Sequence, residues 1–278
     1  MTSHITGLDH VVIAVRDLDA AAETFRQLGF TLSERGEHAQ WGTANCCAMF
    51  GGSYVELLAA RAEGEPADRV RAFTKHREGL MALAFGTSDA AADAQRLGLA
   101  APAELNRTVP TGNGPALARF QVAKLPVEAT PGAESFLCQH LTADLLRQPG
   151  WTDHANTATG ITSVTALAAD PVGLMGDWDR LIGPARSTAT DETVTVHTGR
   201  GLVFLCRPED LDQLHPEAED EPTPPPPALV ALTITVADPE TAAAVLRGNG
   251  IPYSRDPNGN LRIAASDCHG VFMELVAG

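Results

Sequence analysis

Three ionisable residues occupy stretches that read as buried strands. His10 lies in GLDHVVIAVRDLD (7–19), flanked by Leu8, Val11, Val12 and Ile13. Glu56 is central to SYVELLA (53–59), and Glu274 lies within GVFMELVA (270–277). A carboxylate in such a strand is costly to bury without a partner. Imidazole nitrogen and carboxylate oxygen together suit a divalent ion such as Zn, Mn, Fe, Ni or Co. His10 taken alone reads as a hydrogen-bonded core histidine, and Glu56 at the matching strand position turns the reading towards a metal ligand.

Other polar residues are candidates for substrate contact. Trp41 and Asn45 of WGTANCC either line a pocket or pack within a strand. Gln139 and His140, with Trp151, His154 and Asn156, form a polar cluster around residues 139–156. That cluster either lines the mouth of a site or belongs to a connector that satisfies its own backbone. Arg107 and Arg119 could face an anionic substrate or solvent. TGNGPA (111–116) reads as a hairpin turn, because no strand–glycine–helix context makes it a phosphate loop. No Gly-x-Ser-x-Gly nucleophile elbow is present.

The chain positions these residues by repetition. GLDHVVIAVRDLD aligns with GLMALAFGTSDAA from Gly79, GITSVTALAADPV from Gly160 and ALVALTITVADPE from Ala228. Each copy is an apolar strand ending in an aspartate (Asp17, Asp89, Asp170 or Asp238), a good helix N-cap. Pro171 and Pro239 follow at the first helical position, where proline is tolerated. A helical pattern and short strands complete each copy, so each repeat reads as βαβββ. The expected division is residues 1–140 for modules 1 and 2, a connector at 141–159, and residues 160–278 for modules 3 and 4. Residues 214–227, LHPEAEDEPTPPPP, are expected to form an exposed, extended spacer.

Bulk composition narrows the function. The 278 residues suffice for two domains, and the net charge of −15 argues against nucleic acid as a partner. No apolar run reaches the length of a membrane span. The start MTSHITGLDH shows no basic region followed by an apolar run, so the expected location is cytoplasmic. Five cysteines without a CxxC pair argue against a disulfide framework or a thiolate zinc site.

This arrangement resembles the vicinal oxygen chelate superfamily, the glyoxalase/bleomycin-resistance/dioxygenase fold. The resemblance rests on GLDHVVIAVRDLDAAAETFRQLGF, SYVELLA and VFMELVA, and covers nearly the whole chain. WGTANCCAMFGGSYVELL and FLCQHLTADLLRQPGWTDHANT are similar to its glyoxalase-like-domain branch. The resemblance implies an α+β fold of four βαβββ modules forming two half-open eight-stranded barrels. It implies metal ligands on the first and last strands of each module. Those positions map to His10, Ala82, Ser163 and Ala231, and to Glu56, Gln139, Leu205 and Glu274.

Module pairing decides the third ligand. Pairing one with two gives His10, Glu56 and Gln139, with His140 adjacent; pairing one with four gives His10, Glu56 and Glu274. The second arrangement is preferred because it gathers the ionisable groups. The expected protein is a metal-dependent isomerase, lyase or epimerase acting on a small substrate, with Glu56 or Glu274 moving a proton. The alternatives are a metal-free binding protein of the bleomycin-resistance kind and an extradiol dioxygenase, which the missing second first-strand histidine disfavours. A monomer or homodimer is expected.

Overall fold

The computed structural model describes residues 2–38, 40–109, 111, 114–130, 134–146, 148, 150–219 and 221–278. Gly112 and Asn113 of the expected hairpin turn, and Arg147 and Pro149 of the connector, lie outside the described residues.

The four repeats fold as four modules. The first contains β1 (Ile5–Ala14), α1 (Leu18–Gln27), β2 (Gly36–His38), β3 (Thr43–Met49) and β4 (Tyr54–Ala60). An added helix, α2 (Glu65–His76), leads to the second module: β5 (Gly79–Thr87), α3 (Ala90–Leu97), β6 (Ala103–Val109), β7 (Ala116–Lys124) and β8 (Glu134–His140). The third has β9 (Ala158–Leu167), α4 (Met175–Ile182), β10 (Ser187–Thr190), β11 (Thr193–His197) and β12 (Leu202–Cys206). A short helix, α5 (Leu211–Leu214), precedes the fourth: β13 (Ala228–Val236), α6 (Pro239–Gly248), β14 (Ser254–Arg255), β15 (Leu261–Ile263) and β16 (Phe272–Ala277).

The aspartates cap as their position demands. The Asp17 side chain accepts from the backbone N–H of Asp19 and Ala20, Asp89 from Ala92, and Asp238 from Glu240. Asp170 instead caps Gly173, in a 3-10 turn that precedes α4.

Two eight-stranded sheets result, in the orders β2-β3-β4-β1-β5-β8-β7-β6 and β10-β11-β12-β9-β13-β16-β15-β14. Module one therefore pairs with module two, and module three with module four, which overturns the expected pairing of one with four. The pairing follows from the first strands. β1 runs antiparallel to β5, with Leu8 opposite Phe85 and Ile13 opposite Leu80. β9 and β13 repeat this, with Ile161 opposite Ile234 and Ala166 opposite Leu229.

A register shift falls between Leu8 and His10, and another between Leu229 and Ala231. Each marks a β-bulge, where two successive residues face one partner. Alternation is reset there: Leu8, Val11 and Ile13 enter the main core, while Asp9 and His10 face the barrel interior. The main core lies on the outer faces of both sheets and under the helices, joining Phe25, Phe85, Trp178, Leu232 and Leu246.

The two halves meet through backbone. The Leu8 N–H donates to the Arg200 carbonyl at 2.7 Å, and the Arg200 Nε–H donates to the Leu8 carbonyl at 3.1 Å. Gly7 stands here at φ +124°, and a Cβ on it would lie 2.2 Å from the Arg200 nitrogen.

The described residues of the acidic, proline-rich segment 214–227 are exposed or half-buried except His215 and Ala218. His215 is 3 % exposed, and Ala218, with Leu211 just before the segment, is buried with Leu167, Cys206, Val230, Ala231 and Phe272. The segment's few apolar residues, hidden among its carboxylates, plug the second barrel. His215 is held there by Thr165, with Nε2 and Oγ1 2.8 Å apart. No helix among the described residues is long and apolar enough to cross a membrane.

The docked backbones at Gly7 leave no room for a side chain. Gly7→Ala is expected to lower unfolding free energy by about 2–4 kcal/mol in denaturant titration. Gly248→Ala, with open space around the added Cβ, is expected to change it by less than about 0.5 kcal/mol.

Candidate functional site

The first barrel encloses a cavity of about 410 Å³. Alternation along its strands decides which side chains line it. β4 turns Tyr54, Glu56 and Leu58 inward, and sends Val55, Leu57 and Ala59 to the main core. β6 turns Leu105 and Arg107 inward, and β8 turns Phe136 and Cys138 inward. The walls are mostly apolar; His10, His38, Asn45, Glu56 and Arg107 form one polar group, and Arg69, Lys124 and Glu134 also line the cavity.

His10 is 3 % exposed and stacks on Tyr54, with ring centroids 4.2 Å apart. Its Nδ1 lies 2.7 Å from Asp9 Oδ2, and its Nε2 lies 3.9 Å from Glu56 Oε2. The same Asp9 oxygen lies 2.9 Å from His140 Nε2. Asp9 thus orients imidazoles from the first strand of one module and the last strand of the other. Burial pushes its carboxyl pKa up, but the hydrogen bonds and charges of His10 and His140 outweigh burial and hold it well below the usual carboxylate range.

Asn45 links the other charged groups. Its Nδ2 donates to Glu56 Oε1, and its Oδ1 accepts from Arg107 Nη1 at 3.4 Å. Arg107 Nη1 also lies 3.8 Å from Cys47 Sγ, and burial pushes that thiol's pKa up to about 12. His38 Nδ1 lies 3.0 Å from Thr43 Oγ1. Burial and, to a smaller degree, the Arg107 charge lower the His38 pKa, despite the opposing Glu56, so the ring tends to be neutral. Burial raises the Tyr54 pKa well above normal, which keeps its hydroxyl protonated at the cavity wall.

His10, Glu56, Trp41 and Asn45 all line the cavity as expected positions. His140 lies beside it, behind His10, as a partner of Asp9. Three expectations fail. Glu274 belongs to the second barrel, where Arg262 Nε lies 3.3 Å from its Oε1, so it cannot join His10. Gln139 faces away from the cavity: its Oε1 accepts from Ala90 N at 3.0 Å and its Nε2 donates to the Ser88 carbonyl at 2.8 Å. His154 is a structural bridge, its Nδ1 accepting from Thr31 N and its Nε2 2.9 Å from the Met49 carbonyl oxygen. Asn156 and Trp151 are buried likewise, so the connector reading holds for these three residues.

Register explains the Gln139 error. Glu56 pairs with Val12 and Glu274 with Thr233, while the matching partners of Ala84 and Thr165 are Phe136 and Phe204. The last-strand positions in modules two and three are therefore these phenylalanines and not Gln139 and Leu205. A shift of an odd number of residues sends a side chain to the other face. Asp9 was hidden by the bulge, since regular alternation places it opposite His10. His38 and Tyr54 carry no sequence signal beyond their place in short strands. Arg119 pairs with Glu104 on the surface.

The donors admit a divalent ion only in part. With Nδ1 tied to Asp9, the His10 Nε2 lone pair faces Glu56, the arrangement that commonly supports a metal-bound histidine. Two ligand atoms on a tetrahedral ion lie about 3.4 Å apart, so the 3.9 Å here needs a small closure. Ala82 and Phe136 add no donor at the equivalent positions. Asp9, Cys138 and His140 also bring ligand atoms within 4.8 Å of one another. There, however, Asp9 already accepts from two imidazoles, and burial raises the Cys138 thiol pKa well above normal. An ion would have to displace both hydrogen bonds and a proton.

Paired βαβββ modules around an inward-facing histidine and glutamate define the vicinal oxygen chelate class. Within it the chain belongs to the glyoxalase-like domain family, whose model matches residues 8–182. No curated protein matches the chain. Among solved structures, a hypothetical protein from Staphylococcus aureus is similar at TM-score 0.67 and 12 % identity, covering 98 % of this chain and 99 % of that one. A variant of 4-hydroxymandelate synthase from Streptomyces coelicolor is similar at TM-score 0.59 and 14 % identity, covering 98 % and 92 %. A xylose isomerase-like TIM barrel/4-hydroxyphenylpyruvate dioxygenase fusion protein is similar at TM-score 0.57 and 13 % identity, covering 100 % of this chain and 49 % of that one. At these identities the likeness extends to the fold alone.

Asp9→Asn removes an acceptor shared by two buried imidazoles. It is expected to cost about 3 kcal/mol at neutral pH. Because the folded carboxyl pKa is depressed, the wild-type advantage is full above the unfolded value near 4 and is lost as pH falls through the lower folded value. The stability difference between the two proteins should therefore shrink steadily as denaturation curves are taken from pH 4 down to pH 2. A constant difference across that range would show that Asp9 is not the ionised partner.

Proposed function

We propose that the chain is a glyoxalase-like enzyme acting on a small molecule inside the first barrel. The carrying observation is the His10 Nε2 lone pair aimed at Glu56 across the end of an apolar cavity, with Nδ1 fixed by Asp9. The apolar walls exclude water from the ligand's body, and Tyr54 and Asn45 hold the imidazole and carboxylate in place. Glu56, oriented through one oxygen by Asn45, has its other oxygen free to take or return a proton beside a substrate carbonyl or hydroxyl. His10 can accept a proton at Nε2, the Asp9 carboxylate stabilising the imidazolium that forms. Isomerisation, epimerisation and elimination all need such a proton transfer.

In this reading a divalent ion would be held by His10 Nε2 and Glu56, and it would supply Lewis acidity towards substrate oxygens. Water and substrate would complete its shell. The fact that Ala82 and Phe136 stand at the other two positions favours a second reading, a metal-free binding protein that holds its ligand without chemistry.

Metal content and thermal midpoint, measured together after reconstitution with Zn, Mn, Fe, Ni or Co, separate these readings. The enzyme reading expects about one ion per wild-type chain, lost in His10→Ala and reduced about 10–100-fold in affinity in Asp9→Asn. Full occupancy in His10→Ala would remove the imidazole from the site's chemistry. No uptake by wild type would select the metal-free reading.

A further inference from the structure

Arg107 is a buried cation without a carboxylate. It lies on β6 between inward-facing Leu105 and Val109 and is 8 % exposed. Its side-chain contacts are the Asn45 amide oxygen at 3.4 Å and the Cys47 sulfur at 3.8 Å, both weak acceptors at those distances. Its Nε is buried with no hydrogen-bond partner. Burial keeps the Cys47 thiol protonated, so that sulfur offers no negative charge. Among the described residues no carboxylate lies within ion-pair distance of this guanidinium, on a chain whose net charge is −15.

Of the other charged residues at the cavity, Lys124 is exposed at the end of β7. Arg69 at the cavity wall is paired with Glu134. Asn45 stands between Arg107 and Glu56, giving its N–H to the carboxylate and its carbonyl oxygen to the guanidinium. A guanidinium has five N–H donors in a fork that matches a carboxylate. Here most of them face no anion, although the group lines the same cavity as His10 and Glu56. The remaining walls, including Met81, Phe120, Val122 and Phe136, suit a hydrocarbon or aromatic body.

We propose that Arg107 recognises the anionic end of the cavity's ligand, so that the ligand is an apolar molecule carrying one carboxylate. The inference rests on the reading of the first barrel as the small-molecule site. It adds the substrate class: a monoanionic aryl or alkyl acid, its carboxylate on Arg107 and its body along the apolar wall. A neutral ligand would leave the guanidinium without a directly paired anion, and a charge-assisted pair is the stronger kind of hydrogen bond.

Calorimetric titration with matched pairs tests this: naphthalene-2-carboxylate, 4-phenylbutyrate and octanoate, each against its primary carboxamide. Wild type is expected to bind at least one carboxylate about 10–100-fold more tightly than its amide, both as purified and after chelator treatment. Arg107→Gln is expected to abolish that preference, lowering the acid's affinity far more than the amide's, with an unchanged circular-dichroism spectrum showing that the variant is folded. Arg107→Met carries the same expectation should the glutamine variant not fold.

Amides that bind as well as the acids in wild type would overturn the anion inference and leave the cavity reading standing. A preference that survives in both variants would overturn it too, as would one that vanishes with the chelator, since the anion would then be held by a metal. Failure of every acid and amide to bind would overturn both the inference and the cavity reading.

Discussion

One carboxylate between two imidazoles organises the site. Asp9 receives His10 from its own strand and His140 from the last strand of the neighbouring module. That contact fixes the tautomer and direction of His10 and also ties β8 back to β1 across the barrel. It exists only because the bulge at Asp9 brings two consecutive residues to the inner face. In a regular strand either Asp9 or His10 would face the main core, where neither has a partner. The bulge in turn follows from the paired first strands, since the second sheet repeats it between Leu229 and Ala231 with no ionisable residue present. A feature of the fold thus carries an imidazole and a carboxylate in one copy.

The two barrels differ in what fills that common frame. At the bulge, Asp9 and His10 are replaced by Met81 and Ala82, Thr162 and Ser163, or Val230 and Ala231. In the first barrel the small Ala82 leaves space, and the cavity stays open. In the second, Val230, Ala231 and Phe272 pack against Leu211 and Ala218 from the chain's own connecting segment. Glu274 keeps its inward position there, yet it is paired with Arg262, which Asp256 and Glu217 share. The same glutamate position faces an imidazole in one half and a guanidinium in the other. Only the first leaves a lone pair free for a ligand.

Much of the fold was legible because it repeats. Apolar strands ending in a capping aspartate define the modules, and Asp17, Asp89 and Asp238 cap as read. His10 and Glu56 were legible as polar residues in strands that must be buried. Pairing was not, because an argument from gathering charges took Glu274 to be in want of a partner. Arg262, on the neighbouring β15, meets that need locally, and no spacing in the sequence announces it. Asp9 was lost to a one-residue break in alternation, and Gln139 to an odd-numbered error of register. The burial of His215 and Ala218 is hidden because composition averages them into an acidic, proline-rich stretch.

The polar group at the cavity's end is balanced by a single amide. Asn45 gives a hydrogen to Glu56 and accepts one from Arg107, so it holds opposite charges apart instead of letting them close into an ion pair. A direct pair would neutralise both groups and leave nothing for a ligand. Separated in a low-dielectric cavity, each keeps a field stronger than it would have in water. The carboxylate remains able to exchange a proton or approach a cation, and the guanidinium remains able to take an anion. His10, Glu56 and Arg107 therefore line one cavity whose remaining walls are mostly apolar. The bulge that aims the imidazole and the amide that separates the charges are together what turn a packed barrel into a site.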